Sequence, residues 1–405
     1  MRINYAKVHK TIIFLTYLIY IFKLLFSSNY IAFNIIFYSL LFLISFFNLR
    51  YLNKNNRNYY IFLIIICFFI FMFIKGVINK NWYNFILSDA GRFALMSFIL
   101  YGNQKDFNKL YSNLGGYLYI GLPISIFLII YYGIKPGILE QRFISSGDIE
   151  TSTFFIIIYP VFHSLFLFPS IDYFKIPIRI IIIISVFFIM IYSFVTLNRL
   201  LFITSTLSIL SGLICSRIRM KIKIFLLVIS IILVIQFISF KDFNLSESLK
   251  DIFYRLQPAN DLFSGRDVEA EAFINSLKRD EIILGRGFGG TQKSWIWSEL
   301  PYGNNMIHFG FLYILMKGGV LFLFFMISIL IVGFLFLVRK KGIYVPIAIG
   351  ILIFIVADFM HTQWLYPFNI IYLFASISFG FNNVNREKIK SPERGTNENI
   401  IIKCL

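Results

Sequence analysis

The sequence predicts an all-α polytopic membrane protein of about 12 transmembrane helices, with one large extracytoplasmic loop containing short helices. Composition is the first ground. Of 405 residues, 58% are hydrophobic and 14% charged, against roughly 25% charged in soluble domains, so the apolar surface exceeds what a water-facing globule can bury. The second ground is pattern. Apolar runs of about 20 residues recur along the chain, each long enough to cross about 30 Å of hydrocarbon. They are continuous and do not alternate, and a backbone in lipid must satisfy its own hydrogen bonds, so helices are expected and a barrel is not. The third is the placement of lysine and arginine, which follows a membrane rule.

Taken in order, spans are expected near 11–27, 30–48, 59–76, 83–101, 111–132, 153–169, 177–197, 199–215, 222–240, 308–337, 343–360 and 365–381. The eighth begins directly after the seventh, which puts Arg199 in a tight turn. The tenth is over-long and carries Lys317, Gly318 and Gly319 in its first third. A break or re-entrant entry is expected there, since irregular backbone at membrane depth is tolerated when buried in protein. Residues 1–381 thus form one polytopic transmembrane domain, with the loop of about 241–307 inserted in it and a polar, disordered tail at 382–405. The stretch from Thr11 to Phe26 has no small-residue cleavage site and leads into another span, unlike a cleavable leader. Cys67, Cys215 and Cys404 lie apart from the long loop, which supports neither a disulfide framework nor a metal site. No cofactor is expected.

Charge gives the orientation. The net charge is +18, a value that taken alone would point to nucleic acid. With the N-terminus inside, however, the cytoplasmic segments and tail collect twenty-one lysines and arginines. The short outer loops hold five, namely Lys75, Lys80, Lys135, Arg142 and Arg199. That bias is the positive-inside rule, and it places both termini in the cytoplasm. Anionic lipid of the inner leaflet accounts for the basic balance, and no nucleic-acid partner is required.

The long loop has its own structure. Asp267 to Arg279 is patterned as an amphipathic helix with Ser264 or Asp267 as N-cap. Gly285 to Gly290 forms a flexible turn, followed by Trp295 and Trp297. Trp295 suits either the membrane interface or stacking on a sugar ring. The run Gly285-Arg286-Gly287-Phe288-Gly289-Gly290 formally fits a dinucleotide fingerprint, but it lacks the strand before and the helix after that such a site needs. Glycine here lets the backbone turn sharply or approach a substrate closely.

On the outer side stand four cationic or titratable groups: Arg199, Arg266, Arg286 and His308, which opens the tenth span. Arginine offers a fixed fork of donors that matches phosphate oxygens, and histidine can accept a proton from a hydroxyl near neutral pH. Together they suit transfer of a group from a diphosphate to a sugar hydroxyl. Each taken singly also suits an interfacial anchor. Arg92 lies one helical turn after Asp89 in the fourth span, either as a neutralised intramembrane pair or lining an internal cavity.

Three segments carry a resemblance. Thr196-Leu197-Asn198-Arg199 resembles the span opening of the O-antigen polymerase and ligase superfamily. Ser264-Gly265-Arg266 followed by Ile283-Leu284-Gly285-Arg286-Gly287-Phe288-Gly289 is similar to that superfamily's outer-loop signature. Asn305-Met306-Ile307-His308-Phe309-Gly310-Phe311-Leu312, ending in Lys317-Gly318-Gly319, resembles its entry into the next span, with Phe309 where the superfamily has asparagine.

The resemblance implies a metal-independent glycosyltransferase of the bacterial inner membrane, acting at its outer face on a glycan carried by undecaprenyl diphosphate. In a surface-polysaccharide polymerase the acceptor is another lipid-linked repeat unit. In an O-antigen ligase it is the lipid A core. Carried over, His308 is the catalytic base, Arg266 and Arg199 contact the diphosphate, and Arg286 is a third cation. A chain-length regulator and a flippase are the implied protein partners. A reading from another class, a lipid-linked oligosaccharide flippase or other transporter, would concentrate its charges inside the spans. There the sequence offers Lys23, Asp89, Arg92, Arg179, Lys317 and Asp358.

Overall fold

The computed structural model describes residues 5–25, 31–52, 57–101, 104–133, 157–195, 199–216, 266–292, 307, 309–340, 342, 344–360 and 366–382. Among these every regular element is helical. The α-helices are α1 (Tyr5–Leu25), α2 (Ile31–Asn48), α3 (Arg57–Ile78), α4 (Tyr83–Ala94), α5 (Gln104–Gly133), α6 (Ser164–Leu167) and α7 (Ile176–Val195). They continue with α8 (Arg199–Cys215), α9 (Arg266–Asn275), α10 (Arg279–Leu284), α11 (Gly310–Arg339), α12 (Tyr344–Met360) and α13 (Pro367–Asn382).

Among the described residues five helical segments are long and apolar enough to cross a membrane: Asn34–Tyr51, Asn58–Ile78, Phe107–Ile130, Ile176–Ser193 and Gly310–Arg339. Shorter apolar helices occupy Val8–Phe22, Leu201–Cys215, Tyr344–Asp358 and Pro367–Phe381. The outer surface is apolar as well. Phe324 is 71% exposed, and Phe46, Ile70, Ile176 and Ile214 also face outward. Water would penalise that surface and lipid would not, so the fold is compatible with a membrane protein. The span expected at 222–240, most of the long loop and the C-terminal tail lie outside the described residues.

At the centre stands α13. Its residues from Pro367 to Phe381 are buried on every face, as expected of a helix that is apolar all round. Around it pack α3, α5, α11, α12 and the 3₁₀ turn Leu95–Leu100 that extends α4. Polar side chains on these helices find one another: Asn58 Nδ2 donates to Ser378 Oγ at 2.7 Å, and Asn48 Nδ2 donates to Ser97 Oγ at 2.9 Å.

One expected span takes a different form. Within the span expected at 153–169 the described residues are not one continuous helix: 157–158 are helical, the chain turns at 159–163, forms the four-residue α6 and ends in a 3₁₀ turn, Phe168–Tyr173. Pro160 and Pro169 remove two backbone donors and interrupt a helix. The segment is enclosed by protein, with Ile158, Val161, Leu165 and Phe166 fully buried. Its freed carbonyls are met by neighbours. Tyr17 Oη donates to Pro160 O at 2.8 Å and Ser208 Oγ to Leu165 O at 2.7 Å, which is the condition under which irregular backbone persists at membrane depth.

The break expected near Lys317–Gly319 is present. Gly319 has φ +70° inside α11, a conformation that costs an L side chain about 1–3 kcal/mol. A Cβ there would sit 2.2 Å from Ile283 O. The glycine therefore both turns the helix and lets α10 approach it.

Candidate functional site: a buried charge cluster at the helix break

The described residues centre on Asp89, in the middle of α4 and wholly buried. Its carboxylate accepts three short hydrogen bonds: from Lys317 Nζ at 2.8 Å, from the Tyr313 hydroxyl at 2.6 Å and from the Gly289 N–H at 2.7 Å. Tyr313 and Lys317 stand four residues apart on α11, so one helix face presents both donors. Lys317 is also wholly buried, and its ammonium donates to Gly290 O at 2.7 Å. A charge enclosed this way persists only when paired and hydrogen-bonded, and here it is both.

The pairing of Asp89 with Arg92 expected from their spacing is present but loose, and Lys317 joins it as a closer partner. Arg92 Nη1 lies 3.9 Å from Asp89 Oδ1, too far for a hydrogen bond, and Lys317 already matches the carboxylate. Arg92 is thus a second, more distant cation on the same carboxylate. Its side chain is 14% exposed, and its Nε has no hydrogen-bond partner. The hydroxyl-bearing rings of Tyr20, Tyr38, Tyr159, Tyr313 and Tyr366 lie within its electrostatic reach.

The glycine run 285–290 is not a free loop. It is threaded between α3, α4 and α11. Arg286 N–H donates to Met316 O at 2.7 Å, Gly287 N–H to Lys317 O at 3.0 Å and Phe288 N–H to Met72 O at 2.9 Å. The Asn81 amide donates to Arg286 O and Phe288 O, at 3.1 and 2.8 Å. Phe288 is fully buried, its ring 5.2 Å from those of both Phe69 and Phe93. At Gly287, with φ +78°, a Cβ would meet Gly76 N at 2.4 Å. The bare backbone lets the turn approach α3, not a ligand.

Arg286 has protein partners at both terminal nitrogens. Nη1 donates to Thr291 O at 2.7 Å, and Nη2 donates to Ser276 O at 2.9 Å and Glu281 Oε2 at 3.0 Å. This guanidinium ties the turn to α9 and α10. The amphipathic helix expected over Asp267–Arg279 is in fact two pieces. Ser276 Oγ donates to Phe273 O at the end of α9, and Glu281 Oε2 accepts from the Lys278 N–H at 3.1 Å to start α10. These local bonds end one helix and cap the next. Behind them Gln292 Nε2 donates to Glu269 Oε1 at 2.8 Å, both residues being buried.

Arg199 is the first residue of α8 and Arg266 the first of α9; their side chains are outside the described set, as are His308 and Trp295 altogether. Among the described residues no three His, Cys, Asp or Glu side chains converge as a metal site requires. On the exposed flank of the break, an open groove of about 270 Å³ is lined by Cys67, Phe68, Phe71, Leu284, Gly318 and Leu321. Its walls are apolar and suit hydrocarbon.

Sequence reasoning noted Asp89 and Lys317 as ionisable groups inside spans but not as partners. They are 228 positions apart (317 less 89), and no periodicity links such distant residues. Tyr313 and the Glu269–Gln292 bond gave no signal. Comparison with protein-family models, with curated proteins and with solved structures finds no match to this chain.

Proposed function

We propose that the protein is a surface-polysaccharide polymerase, a metal-independent glycosyltransferase using a polyprenyl-diphosphate donor at the outer face of the inner membrane. The observation that carries this reading is the junction of two segments named by the resemblance. The leucine–glycine turn and the Lys317-Gly318-Gly319 break lie 27 residues apart in sequence (317 less 290) and are bonded to each other through Met316, Lys317 and Gly290. In the sequence Lys317 lies nine residues after His308 (317 less 308) and the turn follows the helix that Arg266 opens, so the bonded segments are the ones that the resemblance associates with the base and the cation.

In the proposed reaction the acceptor hydroxyl attacks the anomeric carbon of the donor sugar. The bond from that carbon to the diphosphate oxygen breaks, and the diphosphate leaves on its lipid. His308 takes the hydroxyl proton, while Arg199 and Arg266 stabilise the charge that develops on the leaving group. Arg92 and Lys317 together place two cations on the single carboxylate of Asp89, an excess of positive charge that favours an anion nearby. Trp295 would stack on a sugar ring, and Arg286 serves by holding the turn.

The test is a gel of surface and lipid-linked glycan from a deletion strain carrying wild type or His308→Ala. Collapse of the polymer ladder to one repeat, restored by wild type and not by His308→Ala, is expected. Polymer retained on the lipid diphosphate would make the protein a ligase instead. One observation favours the transporter reading, the ion pair of Asp89 and Lys317 buried beside a broken helix. Single repeats accumulating on the cytoplasmic side would establish it and end the polymerase reading.

A further inference from the structure

Several groups compete for a role beyond the transfer chemistry: the apolar groove at the break, the tyrosine ring around Arg92, and the Asp89–Lys317 pair. The pair is the one whose geometry specifies what it does. Both carboxylate oxygens are committed, Oδ1 to Tyr313 and Oδ2 to Lys317 and the Gly289 N–H. The ammonium is committed to Asp89 and to Gly290 O. Groups engaged in this way offer little to a passing ion or substrate. Two of their partners, Gly289 and Gly290, belong to the turn, one donating and one accepting. The pair therefore grips the turn's backbone from both sides.

We propose that Asp89 and Lys317 are positioning residues: their buried ion pair latches the 285–290 turn, and with it α9, onto the break in α11. From the latch the connection continues through Arg286 to Ser276 and Glu281, and through Gln292 to Glu269 on α9. Helix α9 begins at Arg266. The consequence for catalysis rests on the glycosyl-transfer reading above; the latch itself does not. A buried pair stripped of one partner leaves an uncompensated charge, whereas removal of both charges is tolerated far better. Single and double variants therefore separate folding from positioning.

The experiment compares wild type, Lys317→Met, Asp89→Asn, the double variant and Asp89→Glu in the full-length protein in membranes. Three things are read: protein level, the polymer ladder, and tryptic cleavage after Arg286, located by mass spectrometry. Cleavage there requires the turn to leave its crevice, and it tracks the population of the open form. The single neutralising variants are expected at reduced level. The double variant is expected at wild-type level, with the ladder lost and cleavage after Arg286 faster by about tenfold or more. Asp89→Glu keeps the charge while lengthening the arm. It too is expected at wild-type level with faster cleavage and a shortened ladder.

Unchanged cleavage in both the double variant and Asp89→Glu would overturn the latch, whatever the ladder shows. Faster cleavage with a wild-type ladder would keep the latch and remove its role in catalysis. If wild type itself builds no ladder, the polymerase reading falls and the cleavage result still decides the latch.

Discussion

Lys317 and Arg92 are cations close to the same carboxylate, and their circumstances differ. Lys317 is enclosed and bonded on two sides, while Arg92 keeps a donor without an acceptor. Substituting Arg92→Gln should therefore leave the membrane level of the protein near wild type, because Asp89 retains Lys317. The polymer ladder should weaken, and blotting beside the gel checks both. Loss of the protein itself would mean that Arg92 is part of the scaffold. Arg286 also leaves its Nε without a partner, but both of its terminal nitrogens are bonded. Its three acceptors make charge-assisted bonds of about 1.5–3 kcal/mol each, and lysine's compact ammonium cannot span them. Arg286→Lys should raise amide hydrogen exchange across α9 and leave α12 unchanged. Equal protection of α9 in variant and wild type would remove the tie assigned to Arg286.

At the scale of elements, the turn 285–290 is a wedge whose apolar anchor is Phe288. Removing a fully buried phenylalanine side chain costs about 3–5 kcal/mol, and the ring fills space between Phe69 and Phe93. Phe288→Ala should lower the melting temperature of the detergent-solubilised protein and, like the latch variants, open the chain to trypsin after Arg286. A melting temperature unchanged from wild type would mean the wedge contributes nothing to stability. The helix break has a similar dependence. Gly319→Ala combines a left-handed backbone with a Cβ 2.2 Å from Ile283 O, so α10 must move away or α11 must straighten. Reduced melting temperature is again expected, with the 157–173 segment unaffected because it packs on α8 and α12.

For the molecule as a whole, the lysine and arginine bias makes a statement about sides. Lys80, in the turn between α3 and α4, and Lys175, just before α7, are both exposed. In a chain with Cys67, Cys215 and Cys404 changed to serine, an impermeant maleimide should label Lys80→Cys in intact cells. Lys175→Cys should react only after permeabilisation. The reverse pattern would invert the orientation and move the junction of turn and break to the cytoplasmic face, which the proposed chemistry does not allow. Extraction should require detergent, since the exterior of α3 and α11 is apolar along their length.

Composition and run length alone determined that this chain is helical and apolar on the outside, because those properties sum over many residues and do not depend on who touches whom. The break at Gly319 was legible for the same local reason, two glycines after a lysine inside an over-long span. Two features were decided only by tertiary structure. Pro160 and Pro169 interrupt the described part of an expected span, and neighbouring side chains are there to take its carbonyls. Asp89 took Lys317 as a closer partner than Arg92, at 2.8 Å against 3.9 Å, because the packing of α11 on α4 decides distance, and a low-dielectric interior pairs charges by distance, not by position in the chain.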